Sequence, residues 1–135
     1  MTYVLDTNII TEILKGNQKV LEKVKTATLE GQKIVINAIS YYEIKRGLLT
    51  VKATAQLEKF MLLCRKFGLV LLDTEDIFDR AAEIYKNLRK RGELIEDADI
   101  LIASVVIVKN FVLVSADADF KRIPGLKIEN WLTHG

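Results

Sequence analysis

Four short stretches carry the residues that could do chemistry in this chain: Asp6-Thr7-Asn8, Ser40 with Glu43, Asp97 with Asp99, and Ser115 with Asp117 and Asp119. All contain carboxylates, and in three of them small hydroxyl or amide side chains (Thr7, Asn8, Ser40, Ser115) stand near the acid. The nucleophile and ligand types that usually accompany them are scarce. Cys64 is the single cysteine, and His134, one residue from the end, is the single histidine. Cys/His zinc sites, Ser-His or Cys-His nucleophilic pairs and paired-histidine acid/base chemistry therefore lack their parts. If the carboxylates converge, their repulsion calls for a proton or a cation. With oxygen ligands alone, the expected ion is Mg²⁺, or Mn²⁺ in its place. Such an ion can activate water and stabilise charge on a phosphoryl oxygen, which phosphodiester hydrolysis needs and which requires no histidine.

Convergence depends on the elements that position these residues. Tyr3-Val4-Leu5 reads as a buried strand stopping at Asp6, and Val112–Val114 as a second strand running through Ser115 towards Asp117 and Asp119. Further strands are expected at Lys33–Ile36, Leu69–Leu72 and Leu126–Ile128. Helical spacing marks Asn8–Lys15, with Asn8 as N-cap and Gly16 as stop, then Gln18–Glu30, a helix from Ala38, and a stripe from Leu57 to Phe67. Gly47 inside the third helix suggests close packing at that point. Glu75–Arg91 is the clearest amphipathic helix, with Ile77, Phe78, Ala81, Ala82, Ile84, Tyr85 and Leu88 on its apolar side. Asp97–Lys109 is nearly all apolar after its first turn and reads as a buried helix with a polar start. Strands alternating with helices predict an α/β fold, a mostly parallel sheet with helices on both faces. In such a sheet the ligand crevice lies outside the carboxyl ends of the strands, where Asp6 and Asp117 fall.

Each acid alone also suits an ordinary role: Asp6 and Asp97 or Asp99 as helix caps, Glu43 as a solvated helix residue, Asp117 and Asp119 as turn residues. Their joint placement on one sheet edge favours a shared site. Positions two apart on a helix differ by about 200°, so Asp97 and Asp99 cannot both face it. Asp99 is favoured because it shares a face with Ala103 and Val106, and Asp97 is left as a cap or supporting residue. Asp117, nearer its strand end, is favoured over Asp119. Thr7, Asn8, Ser40 and Ser115 suit supporting hydrogen bonds. Lys45 and Arg46 beside Glu43, and Arg89 and Arg91 at the end of the amphipathic helix, could meet phosphates or form a solvated face.

At 135 residues, with half of them hydrophobic and a net charge of +2, the chain has the bounds of one ordered globular domain over 1–135. No internal disulfide can form, no secretory leader is evident, and Ile100–Val108 is too short to span a bilayer, so a cytoplasmic protein without a membrane segment is expected.

Four blocks in order resemble those of the PIN-domain family, in particular its VapC-like toxins: Val4-Leu-Asp-Thr-Asn-Ile-Ile10, Ser40-Tyr-Tyr-Glu-Ile-Lys-Arg-Gly47, Asp99-Ile-Leu-Ile-Ala-Ser104 and Leu113-Val-Ser-Ala-Asp-Ala-Asp-Phe120. The ending Ile123-Pro-Gly-Leu-Lys-Ile-Glu-Asn-Trp131 resembles the closing strand and tail of those toxins. The resemblance implies a three-layer α/β/α sandwich around a five-stranded parallel sheet. It also implies a Mg²⁺-dependent endoribonuclease in which Asp6, Glu43, Asp99 and Asp117 hold the metal that activates water. A homodimer is implied as well, together with a cognate antitoxin whose C-terminal segment covers the acidic pocket. Against this stand a catalytically silent RNA-binding or protein-interaction module of the same fold, and a nuclease directed at DNA.

Overall fold

A computed structural model of the chain describes residues 1–133, so His134, expected to fray, lies outside the described residues. Five strands form one sheet: β1 (Thr2–Leu5), β2 (Lys33–Asn37), β3 (Leu69–Val70), β4 (Val112–Val114) and β5 (Ile128–Glu129). Their order is β3-β2-β1-β4-β5, and each neighbouring pair is parallel. The helices are α1 (Thr7–Leu14), α2 (Gln18–Leu29), α3 (Ala38–Thr50), α4 (Thr54–Phe67), α5 (Glu75–Lys90) and α6 (Asp97–Val108), with a 3₁₀ helix at Ala118–Arg122.

Alternation along the strands creates the two faces. Val4, Val35 and Leu113 pack with Ile77, Ala81, Ile84 and Leu88 of α5 and with Ile102 and Val106 of α6. Leu5, Ile34, Ile36 and Val114 point the other way, into Ile9 and Ile10 of α1, Val20 and Val24 of α2, Phe60 of α4 and Trp131. The result is the expected three-layer sandwich. Because α6 touches the sheet and α5 together, it is apolar nearly all round, and Ile100, Ile102, Ala103, Ser104, Val105 and Val106 are all buried.

β1 is the pivot. Its chain crosses to β2 on one side, while β4 arrives on the other, so connections diverge at the carboxyl end of β1 and open a crevice there. The ladder continues one residue past β1, where Asp6 N–H donates to Val114 O at 3.0 Å. One buried amide ties the next strand to this point. Asn37, fully enclosed at the end of β2, donates to Leu5 O at 2.9 Å and to Ser40 Oγ at 3.0 Å, while its Oδ1 accepts from Ser40 N at 2.7 Å. It thus caps α3 and joins β2 to β1 at once.

Several local expectations are corrected. β3 ends at Val70 instead of Leu72, because β2 turns into α3 after Asn37 and leaves nothing for Leu71 and Leu72 to pair with. β5 lies at Ile128–Glu129, shifted along from Leu126–Ile128, in register with Leu113 and Val114. α1 begins at Thr7, so Asn8 is inside the helix and does not cap it. Space around Gly47 is open, and no neighbour approaches the place where a Cβ would sit. On α5 the buried stripe is Ile77, Ala81, Ile84 and Leu88, whereas Phe78 and Tyr85 are exposed. That stripe follows the 3.6-residue period strictly and admits no flanking aromatics. Among the described residues, no helix is long and apolar enough to cross a membrane.

Asn37→Ala should lower folding stability by about 2–3 kcal/mol, since it strands buried polar partners as well as removing a cap. Urea denaturation checks this, and a loss below about 0.5 kcal/mol, the size of an ordinary surface substitution, would contradict it.

Candidate metal centre

The crevice at the end of β1 has a volume of about 390 Å³ and is walled by six carboxylates: Asp6, Glu43, Glu96, Asp99, Asp117 and Asp119, with Thr7 and Asn8 between them. All four acids favoured on sequence grounds meet here. Each is delivered by a different element. Asp6 follows the central strand, Glu43 sits in the second turn of α3, Asp99 in the first turn of α6, and Asp117 heads the 3₁₀ helix after β4.

Asp6 forms the floor and is 5% exposed. Its Oδ2 accepts a 2.7 Å hydrogen bond from Ser115 Oγ, linking the carboxyl ends of β1 and β4. The same Ser115 oxygen accepts from Asp117 N at 3.0 Å, and Asp117 Oδ1 accepts from Asp119 N at 2.9 Å. A relay of short polar contacts therefore sets the path of the chain from Ser115 to Asp119. On the opposite wall, Thr7 Oγ1 lies 2.8 Å from Ser40 Oγ and 3.0 Å from Glu43 Oε1. A hydroxyl has one proton and an ionised carboxylate only accepts, so Thr7 donates to Glu43 and receives from Ser40, which in turn accepts from Asn37. Glu43 is thus oriented by a chain of three polar side chains rooted in the buried strand end.

Asn8 uses its Oδ1 to accept from Ala116 N at 3.3 Å, bracing the loop that carries Asp117. Asp99, Asp117 and Asp119 can each offer an oxygen within 4.8 Å of the others, a closer grouping than sequence alone distinguished. Asp97 is exposed and does not line the crevice, while Asp99 does, as expected from the helical period. Sequence reasoning did not weigh Glu96 as a site residue or recognise Asn37 as the anchor. The signal for Asn37 was available, an amide standing between an apolar strand run and a helical stretch, the place of an N-cap.

Electrostatics follow from this crowding. Burial pushes the Asp6 carboxyl upward, the hydrogen bonds from Ser115 and from the Thr7 backbone oppose the rise, and Asp117 and Glu43 add to it. Asp99 is pushed up to about 7, first by burial and then by the negative charges of Asp6, Asp117, Glu96 and Glu43. A crevice that holds a carboxylic acid half-protonated near neutrality favours any cation able to replace the proton. The donor set suits a hard ion: carboxylate oxygens, polar hydroxyls close behind them, no sulfur or imidazole, and an open side where waters complete a shell.

Of the basic residues, Lys45 Nζ contacts Tyr41 Oη at 3.0 Å, and Arg46 lies over the exposed Tyr42 ring with its guanidinium carbon 5.1 Å from the centroid. Arg89 is exposed, and Arg91 donates to the backbone carbonyl of Arg122.

The PIN domain model matches residues 3–126. A ribonuclease VapC1 of Methanocaldococcus jannaschii is 35% identical over 127 residues, 92% of this chain and 84% of that protein. A ribonuclease VapC1 of Haemophilus influenzae strain R2866 is 28% identical over 132 residues, 97% and 98% of the two chains. Among solved structures, VapBC2 from Rickettsia felis bound to a DNA fragment from its promoter superposes with a TM-score of 0.89 at 27% identity, covering 97% of this chain and 99% of its counterpart. In sequence and fold, this chain belongs to the PIN-domain family, in its VapC-like branch.

Proposed function

We propose that the chain is a Mg²⁺-dependent endoribonuclease acting as the toxin of a toxin–antitoxin pair, a single nuclease domain over residues 1–135. The observation that carries this reading is the acidic crevice at the end of β1, in which Asp99 is held up to about 7 by burial and by four neighbouring carboxylates. The relatives named ribonuclease VapC and the VapBC structure support it. Asp6, Asp99 and Asp117 hold the ion, with Asp119 adjacent to them, and Glu43 faces the same space. When bound, the ion supplies charge neutralisation and an activated water at the scissile phosphate. Mn²⁺ can substitute for it on the same oxygen donors.

The protein's own groups orient and position. Ser115 and the Thr7 backbone fix Asp6, Thr7 and Ser40 fix Glu43, and Asn8 braces the Asp117 loop. Glu43 would be the group to take a proton from the attacking water, a role that its oriented Oε1 and its place on the crevice wall suit. Lys45, Arg46 and Arg89 meet RNA phosphates, and exposed Tyr42 beside Arg46 offers a face on which an unpaired base can stack. Arg91 is engaged with the backbone and serves elsewhere. The partners are an RNA substrate, a cognate antitoxin and a second copy of the chain, and the setting is the cytoplasm.

Purified protein incubated with structured RNA in Mg²⁺ should cleave it, and EDTA should abolish cleavage. Thr7→Val should slow cleavage about 10–100-fold, as loss of a ligand's hydrogen-bond partner does, and Asp99→Asn or Asp117→Asn should slow it further. Cleavage that survives EDTA or Asp6→Asn would reject the mechanism. RNA binding without cleavage at any metal concentration would instead identify a silent module.

Proton linkage gives a second test. An acid whose pKa is raised by folding takes up its proton more readily in the folded state. The stabilisation is therefore complete below the ordinary carboxylate range and is lost as pH rises to about 7. Metal-free Asp99→Asn should accordingly gain on wild type in melting temperature between about pH 4 and about pH 7, with the gap constant above that range. An offset independent of pH, measured by differential scanning fluorimetry, would contradict the repulsion.

A further inference from the structure

Two arginines, one just past α5 and one at the end of the 3₁₀ helix, each donate to backbone carbonyls of the other's segment. Arg91, just past α5, donates through Nη2 to Arg122 O. Arg122, at the end of the 3₁₀ helix, donates through Nη1 to Glu93 O at 3.4 Å and Leu94 O at 3.3 Å. Each guanidinium also has an acid beside it: Glu93 lies 3.7 Å from Arg91 Nε, and Asp119 lies 3.5 Å from Arg122 Nη2. These contacts join two segments that also share one core cluster through Ile95, Phe120 and Ile123. One is the 92–96 connection, which leads into Glu96 and Asp99. The other carries Asp117 and Asp119.

We infer that Arg122 is a positioning residue for the metal centre: it clamps the connection leading to Asp99 against the 3₁₀ helix and sets Asp119 beside Asp99 and Asp117 before an ion arrives. This rests on the nuclease reading of the crevice given above. The planar fork of the guanidinium suits the task, because it serves two adjacent carbonyls with one nitrogen and a carboxylate with the other, which a single ammonium group cannot do. The contacts are exposed, so their contribution to global stability is small and their effect is geometric. Removing the clamp leaves the fold intact and lets the two loops drift apart. A metal ion must then draw the ligands together at the expense of its own affinity.

The test compares wild type with Arg122→Met and Arg122→Lys in two measurements: Mn²⁺ affinity by isothermal titration calorimetry, and amide hydrogen exchange over residues 93–99 without metal. Both variants should bind Mn²⁺ about ten-fold more weakly, as loss of an outer contact to a ligand typically does. Both should also exchange faster over 93–99, with melting temperatures close to that of wild type. Full affinity in Arg122→Lys would show that charge alone matters and overturn the clamp, as would unchanged exchange in Arg122→Met. If wild type itself binds no Mn²⁺, the nuclease reading falls, and the exchange measurement decides the clamp by itself.

Discussion

A buried carboxylate at the end of the central strand is the constraint on which the rest of this structure depends. Asp6 sits almost without solvent contact where β1 stops, and an ionised group in that position is costly unless its lone pairs are met. Ser115 meets one of them from the neighbouring strand and the Thr7 amide another, so the acid is held by the two elements whose divergence creates the crevice. Strand pairing, helix placement and loop path all return to this point. β1 must lie between β2 and β4 for Asn37 and Ser115 to reach it, and a parallel sheet is the arrangement that brings all three strand ends to the same edge.

Around that floor the protein accumulates negative charge and compensates it only in part. Hydrogen bonds orient Asp6, Glu43 and Asp117, yet the side chains of Asp99 and Asp119 receive none from within the crevice. Asp119 is instead paired at 3.5 Å with Arg122 on the outer side. The imbalance is informative because an acid kept for structure is matched by donors and costs stability when removed, whereas removing a crowded, unmatched acid relieves repulsion. Charge crowding is tolerated in folded proteins where a cation or a proton is part of the working state. The scarcity of histidine and cysteine in the sequence narrows that cation to a hard one.

Much of this architecture is written in local pattern. Apolar runs that stop at Asp6 and Ser115 marked strand ends correctly because buried parallel strands have a simple signature, and α6 was recognisable as an enclosed helix because its apolar residues ignore the amphipathic period. What stayed hidden depends on partners distant in the chain. Leu71 and Leu72 look like strand residues, but their fate is decided by where β2 turns away. Phe78 and Tyr85 look like core, but α5 presents only its narrow Ile77–Leu88 stripe to the sheet and α6. Asn8 resembles a cap in sequence and acts instead as a brace 108 positions along the chain, at Ala116. That Asp99 and not Asp97 lines the crevice follows from helical geometry, whereas the closeness of Asp119 to Asp99 and Asp117 depends on the path of the chain after Ser115. Arg91, which from sequence could meet phosphates or form a solvated face, donates to the backbone carbonyl of Arg122, a partner no spacing rule could disclose.

The central claim is that these carboxylates hold one hard divalent ion between them. Anomalous diffraction from a crystal soaked in Mn²⁺ tests it most directly. The account predicts a peak within the crevice, at about 2.1 Å from carboxylate oxygens contributed by both Asp99 and Asp117. A crevice without anomalous density at millimolar Mn²⁺, or a peak bound by surface acids elsewhere, would contradict it.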